Sequence, residues 1–394
     1  MATSRNWRHF DYVLLVVVIL LTVLGVVMIR SANLGSPDED LQQLWRRQAT
    51  FGVVGIGFVF ILAAFPRNYQ WLGDFWWLAY LLAVASLVLV LFFGESQVGE
   101  VRGWFNLGII NVQPAFIAMI LLIISVGSVL SKPRTQRKSR TPLFGMPKTS
   151  LTVTQEQGGG FVSFLASTAM TMILAGLIFA QPDMGAAAVL VSIWLAMLLQ
   201  SDVRMSYLVM TGVAGVLAIV PLWELMEVLE FEYMRTRVFA FLNPSGNPDV
   251  RYQLEQAFIA IGSGGFWGKG LSQGTQSQLR YLPVRHTDFI FAVLAEELGF
   301  FGVVILFLLF LVLFLRLLRI VFIAGDVFGR LIAAGVLAMV FFQFFTNVGM
   351  NLGLLPVVGL PLPFITYGPA ALLTTMLGIG LAENVAMRHR KQEF

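Results

Sequence analysis

Cysteine is missing from all 394 residues, so neither a disulfide framework nor thiolate chemistry is available to the chain. Histidine is nearly missing: His9, His286 and His389 are the only three, and their spacing holds no metal-ligand pattern, which argues against a zinc site. Charge is scarce too. Asp, Glu, Lys and Arg supply 12% of the residues against 57% apolar ones, and the mean hydropathy of +0.80 excludes an ordinary soluble domain. No internal repeat and no soluble domain are visible, and the first apolar stretch is too long for a signal-peptide core and lacks a small-residue cleavage site.

What is present instead is a series of long apolar runs. Windows of about 20 apolar residues predict about ten spans, at 11–30, 48–65, 71–93, 112–131, 161–180, 184–200, 206–223, 288–315, 331–350 and 364–387. The expected fold is an all-α polytopic membrane protein, one transmembrane domain over 1–394. Residues 132–160, basic and punctuated by Pro and Gly, read as a cytoplasmic loop that attracts anionic lipid. Residues 224–287 form the one large extracytoplasmic loop, with apolar residues at helical spacing that predict helices lying on the membrane face. The segment 352–363, LGLLPVVGLPLP, cannot be a regular helix. Non-helical backbone at membrane depth has to be buried in protein or line a cavity, so it is expected to be re-entrant.

Placing both termini in the cytoplasm puts roughly 16 of the 26 Lys and Arg on that side, in keeping with the positive-inside bias. The outer cations that remain include Arg47, Arg102, Arg235, Arg237, Lys269 and Arg285. They run against that bias, and an anionic ligand at the outer face would explain them. Arg47 follows Trp45-Arg46, where interfacial anchoring and substrate binding are both open readings. Arg102, beside Gly103-Trp104, reads either as a headgroup contact or as a phosphate clamp.

The chain is organised around Tyr252 to Gly299, where a Gly-, Ser- and Gln-rich loop leads to His286-Thr287-Asp288 at the mouth of a long apolar helix. An ionisable residue at that depth marks a functional site, because leaving it unsolvated costs several kcal/mol. Thr287 is expected to cap the helix carrying Asp288, and His286 to be structural or to orient the site. Glu296 and Glu297 sit about two turns on, offset from Asp288 by roughly 80° and 180°, so they should not share its pocket, and a neighbouring helix is expected to hold at least one of them. Asp183, in Gln181-Pro182-Asp183-Met184-Gly185, reads as a helix cap, compatible with facing the same cavity.

GSGGFWGKG at 262–270, GTQSQLRYLPVRHTDFIFAVLAEELG at 274–299, QPDMG at 181–185, RTRVFAFLNP at 235–244 and NVGMNLGLLPVVGLPLPFITYG at 347–368 resemble the SEDS family (shape, elongation, division and sporulation), and VRHTDFIFAVLAEE is closer to its RodA branch than to its FtsW branch. The resemblance covers nearly the whole chain. It implies a ten-span fold in the bacterial inner membrane whose members polymerise lipid II, the lipid-linked disaccharide-pentapeptide, into glycan strands beside a class B penicillin-binding protein; no nucleic-acid partner is expected. By motif, the essential aspartate maps onto Asp288, the first-loop Arg-Gln pair onto Arg47-Gln48, the QPD aspartate onto Asp183 and a loop arginine onto Arg102. Two departures stand out. A Glu and Lys usual in the family are Phe116 and Met119 here, and the usual GGSS is Gly368-Pro369-Ala370-Ala371.

Glycan polymerisation needs a base for the attacking sugar hydroxyl, a role worth about 10²- to 10⁴-fold, and Asp288 has that chemistry. The leaving pyrophosphate needs cations. The expected substrate-binding set is Arg47, Arg102, Lys269, Arg235, Arg285, Asp183, His286 and Thr287. No cofactor is certain; a divalent cation is compatible with the reaction, although no dedicated metal site is apparent. The rivals are a flippase for the same lipid, since broken helices and intramembrane carboxylates occur in transporters, and a non-catalytic scaffold for a transpeptidase.

Overall fold

The computed structural model describes residues 7–65, 69–98, 101–106, 108, 111–131, 160–228, 232–242 and 248–388. A 3-10 turn at Trp7–His9 leads into α1 (Tyr12–Asn33), α2 (Glu39–Ala64), the short α3 (Gln70–Asp74) and α4 (Trp76–Phe93). Strands β1 (Glu95–Val98), β2 (Val101–Asn106) and β3 (Asn111–Val112) form a small antiparallel sheet in that order. Then come α5 (Pro114–Ser131), α6 (Phe161–Phe179), α7 (Met184–Gln200), α8 (Met205–Val228), α9 (Glu232–Leu242), α10 (Pro248–Ser263), α11 (Thr275–Gln278), α12 (Ile290–Ile323), α13 (Val327–Asn351) and α14 (Pro369–Met387).

Eight of the described helices are long and apolar enough to cross a membrane, and Met184–Gln200 and Met205–Ala218 are shorter apolar helices. The chain is therefore a multi-pass membrane protein, and these ten helices correspond to the ten expected spans. Aspartates start four of them: Asp11, Asp38, Asp183 and Asp326 each accept a main-chain N–H of the helix that follows, satisfying donors that a helix N-terminus leaves open. Pro114 and Pro369 occupy first helical positions, where the missing N–H costs nothing.

Several expected boundaries need correction. The second helix begins at Glu39 rather than near 48, because the Asp38 cap and a polar first turn extend it beyond the apolar window. The seventh continues to Val228 through Pro221. The loop between α4 and α5 carries the small sheet, whose strands are too short and polar to stand out as strands in the sequence. The cytoplasmic loop expected at 132–160 lies outside the described residues except for Gly160. The expected surface helices are α9 and α10.

The largest correction concerns α12. Its 34 residues would reach about 51 Å, well beyond a hydrocarbon core of about 30 Å, and Gly299 divides it with a non-helical φ of 67°. There the loop after α10 passes against the helix. Phe300 N donates to Gly265 O at 2.9 Å, and Lys269 N to Glu296 O at 3.0 Å. A side chain at Gly299 would collide with the backbone at Gly268, so close approach and positive φ both require glycine. Residues 290–298 are thus a separate short helix ahead of the long run.

Helices α5, α13 and α14 are the most enclosed; α14 lies along α2, and α13 along α7 and α12. In lipid such contacts rest on close packing and interhelical hydrogen bonds rather than on a hydrophobic force between helices. Between α13 and α14 the chain is non-helical, and Val357, Leu360, Leu362, Phe364 and Ile365 are buried. This is the expected re-entrant segment. It passes Gly25 of α1, where any side chain would collide with the Phe364 carbonyl.

Candidate active site

Three successive carbonyls fix the loop before α12. His286 O accepts from Tyr367 N at 3.0 Å, and Thr287 O from Thr366 Oγ1 at 3.2 Å. Asp288 O accepts from Asn347 Nδ2 at 3.2 Å and Asn351 Nδ2 at 2.9 Å. Asn347 also donates to Leu360 O at 2.8 Å, so α13 ties the loop to the re-entrant segment. Asp288 stands two residues ahead of the first helical residue, and the N-cap position is Phe289. Thr287 does not cap the helix: its hydroxyl donates backwards to Val284 O at 3.2 Å.

The Asp288 carboxylate is part-buried and interacts electrostatically with Asp183 and Arg237, while Gln113 bonds to Asp183. A methyl group at Gly359 would lie 3.8 Å from Asp288 Oδ2 and 3.6 Å from Arg237 Nη1, and that guanidinium is anchored on Val357 O at 2.8 Å. Burial raises the Asp288 pKa to about 6; Arg237 opposes the rise and Asp183 adds to it. Burial raises Asp183 as well, against the Ala186 N–H, Arg237 and Gln113. Asp183 caps α7 through Ala186 N at 2.9 Å and accepts from Gln113 Nε2 at 2.8 Å, so it combines the two roles open to it in the sequence. One cation thus faces two carboxylates, and the carboxylate nearer Gly359 is left in the titration range of a general base.

Around this core, burial and then Arg285 hold His286 down to about 4, so its imidazole is neutral at pH 7 and packs edge-on against Tyr367 at 6.2 Å. Arg47 lies against the Tyr367 hydroxyl and forms a loose, exposed ion pair with Asp40 at 3.8 Å. Next to it, buried Gln48 donates to Thr366 O at 3.1 Å and accepts from Gly368 N at 3.4 Å.

Three expected substrate cations have other partners. Lys269 Nζ is 2.8 Å from Glu296 Oε1, a carboxylate with no exposure. Arg285 is buried and donates to Ala32 O at 2.7 Å. Arg235 pairs with Glu227 at 3.3 Å and lies over the Trp223 ring. Arg102 is on β2 opposite Ser96, with its side chain outside the described residues. Glu297 accepts from Ser31 of α1, in line with a glutamate held by a neighbouring helix.

Arg237 and Gln113 are the site residues that sequence reasoning did not select. A signal for Arg237 existed: two residues apart on a helix is about 200°, so Arg235 and Arg237 face opposite ways and only one can enter a crevice. Gln113 lies three residues before Phe116, and Phe116 and Met119 are both buried, with Gln343 Nε2 3.7 Å from Met119 Sδ. The replacement of a charged pair by apolar side chains is thus absorbed between α5 and α13 without a stranded charge.

The family model described as "Cell cycle protein", covering FtsW, RodA and SpoVE, matches residues 11–391. The chain is 35% identical over 393 residues to the peptidoglycan glycosyltransferase MrdB of Escherichia coli, covering 97% of this chain and 95% of that one. It is 34% identical over 387 residues to the probable peptidoglycan glycosyltransferase FtsW of Trichlorobacter lovleyi, covering 96% and 93%. Among solved structures it resembles a chain of a peptidoglycan synthase complex that coordinates polymerization and crosslinking, with TM-score 0.75, 26% identity and coverage of 97% and 99%. It also resembles the rod shape determining protein RodA of Thermus thermophilus, with TM-score 0.68, 26% identity and coverage of 98% and 99%.

Proposed function

The chain belongs to the FtsW/RodA/SpoVE family of cell cycle proteins, and from that premise we propose that it is a peptidoglycan glycosyltransferase in which Asp288 is the general base. The observation that carries the assignment of the base is the setting of Asp288: a part-buried carboxylate held through its own main-chain carbonyl by Asn347 and Asn351, raised to about 6 by burial, with the Arg237 guanidinium beside it. At pH 7 most of the carboxylate is ionised and ready to accept a proton.

The reaction follows from that placement. A hydroxyl of the acceptor sugar of lipid II gives its proton to Asp288, and its oxygen bonds to the anomeric carbon of the donor. The bond from that carbon to the pyrophosphate oxygen breaks, and the lipid pyrophosphate leaves with the electron pair. A single base and direct displacement invert the anomeric centre, by analogy with inverting glycosidases. Arg47 and Arg237 are the cations we assign to the pyrophosphate: Arg237 stands beside Asp288, and Arg47 is exposed with only a loose 3.8 Å pair to Asp40, whereas Lys269 and Arg235 pair with Glu296 and Glu227 and Arg285 is buried. Arg237 supplies positive charge to both Asp183 and Asp288, and a divalent cation at the pyrophosphate is compatible with the same reading.

The resemblance of VRHTDFIFAVLAEE to the RodA branch supports work in cell elongation, and the polymerase is expected to act beside a class B penicillin-binding protein. The charge distribution supports an orientation with both termini in the cytoplasm and Asp288 toward the outer face. The test is strand formation from purified lipid II in detergent, with and without a cognate transpeptidase. Polymer from the wild type and none from a correctly inserted Asp288→Ala variant is the expected result; polymer from both would remove Asp288 as the base.

A further inference from the structure

At the far end of α12 from Asp288 lies a second polar site with no part in the chemistry above. From Phe300 to Arg316 the long helix alone rises about 24 Å, most of a hydrocarbon core of about 30 Å, so the two sites lie toward opposite leaflets. Arg316 Nε donates to both oxygens of Asp11, at 3.0 and 2.7 Å, and its Nη2 stands 2.6 Å from Oδ2. Asp11 N donates to Glu383 Oε2 at 3.0 Å. This chain of contacts locks the start of α1 to the ends of α12 and α14.

Beside it opens a cavity of about 450 Å³, walled by Arg8, His9, Tyr12, Val13, Arg319 and Ile323 together with the Asp11–Arg316 pair. Asp11 cancels Arg316, and Glu383 is fully buried behind Asp11, off the cavity wall. Arg8 and Arg319 are exposed, and neither pairs with a carboxylate among the described residues, so the rim is cationic. Below the rim the wall is apolar: Tyr12 is 57% and Val13 48% exposed, and both lead down α1 into the bilayer. Trp7 and Phe10, with ring centroids 5.6 Å apart, and Phe60, stacked on Phe10 at 5.7 Å, are the aromatic cluster expected at headgroup depth.

A cationic rim above an apolar wall fits an anionic head with acyl chains, and basic pockets between membrane helices bind such headgroups. We propose that this cavity binds the phosphate of an anionic phospholipid from the leaflet opposite Asp288, with Arg8 and Arg319 as its clamps. A free phosphate ion would meet the same two arginines but gain nothing from Tyr12, Val13 and Ile323.

The test uses the full chain in neutral detergent, with native mass spectrometry of retained dioleoyl phosphatidylglycerol against dioleoyl phosphatidylcholine, and inorganic phosphate as competitor. Phosphatidylglycerol should be preferred about tenfold or more. Arg8→Ala with Arg319→Ala should weaken its binding by about fivefold for each arginine removed, whereas Arg8→Lys with Arg319→Lys should keep most of it. Both side chains are exposed, so thermal melting of the variants should match the wild type. Equal retention of the two lipids, or undiminished phosphatidylglycerol binding by the double alanine variant, would overturn the proposal. Displacement of the lipid by equimolar inorganic phosphate would make the cavity an ion site and overturn it equally.

Discussion

Asn351 donates its side-chain amide to the main-chain carbonyl of Asp288 at 2.9 Å, so the proposed base is positioned from α13, 63 residues further along the chain. Its own Oδ1 accepts from Ala292 N at 3.3 Å, which clamps the turn on both sides of Phe289. Replacing Asn351 by Leu removes both bonds, leaving Ala292 N without its side-chain acceptor and Asp288 O with Asn347 alone. Displacing a catalytic group by about 1 Å can cost 10²-fold, so Asn351→Leu should lower kcat by about 10- to 100-fold with a smaller change in KM. Steady-state strand synthesis checks this; an unchanged kcat with lowered thermal stability would make Asn351 purely structural.

The pH dependence follows from the raised pKa of Asp288. A general base works ionised, so kcat/KM should fall as pH drops through about 6, roughly tenfold per pH unit below it. Because the folded-state value lies above the ordinary 3.8, ionising Asp288 works against the fold, and stability from this group declines as pH rises from 3.8 through 6. Asp288→Asn should therefore abolish synthesis without lowering the melting temperature. Loss of both activity and melting temperature in that variant would show that the ionised group supports the fold.

Arg237 lowers the Asp288 pKa, and Arg235 faces Glu227 and Trp223 instead. Arg237→Gln should therefore move the acidic limb of the pH profile to higher pH and raise KM for lipid II, whereas Arg235→Gln should leave the limb in place. A limb that stays put in Arg237→Gln would remove the electrostatic link between the two residues.

Much of this was legible beforehand, and the rest was hidden for definable reasons. Ten apolar runs, the broken segment after Asn351 and the carboxylate of Asp288 at the mouth of an apolar run all break or create a pattern in hydropathy, which is the property that a sequence displays most openly. The break at Gly299 left no such mark, because the apolar run continues through it and only the approach of Gly268 reveals it. The start of α2 at Glu39 was masked by its polar first turns. The duties of Lys269, Arg285 and Arg235 depended on partners 27, 253 and 8 residues away, and composition cannot rank cations by their partners.

Gly359 offers a test of backbone strain beside the base. Its φ is +70°, and a Cβ there would meet Arg237 and Asp288 only at ordinary contact distances. Gly359→Ala should therefore cost about 1–2 kcal/mol from the left-handed backbone rather than from a clash. A melting temperature lower by a few degrees, with a reduced kcat, is the expected outcome. No change in either would show that the re-entrant turn relaxes freely.

Lys269 decides between two uses of a cation. Its partner Glu296 has no exposure, while Lys269 is a quarter exposed, and Glu296 also accepts from Thr275 Oγ1 at 3.1 Å and Gln276 N at 2.9 Å. Removing one member of a buried pair strands the other charge at a cost of about 3–5 kcal/mol, whereas removing both is often nearly neutral. Lys269→Met alone should destabilise the protein, and adding Glu296→Gln should restore most of the melting temperature. If strand synthesis returns with it, Lys269 serves the fold, holding the Gly-rich loop against the short helix ahead of Gly299. If stability returns without synthesis, the ammonium also reaches substrate, and the pyrophosphate is held by three cations rather than by Arg47 and Arg237 alone.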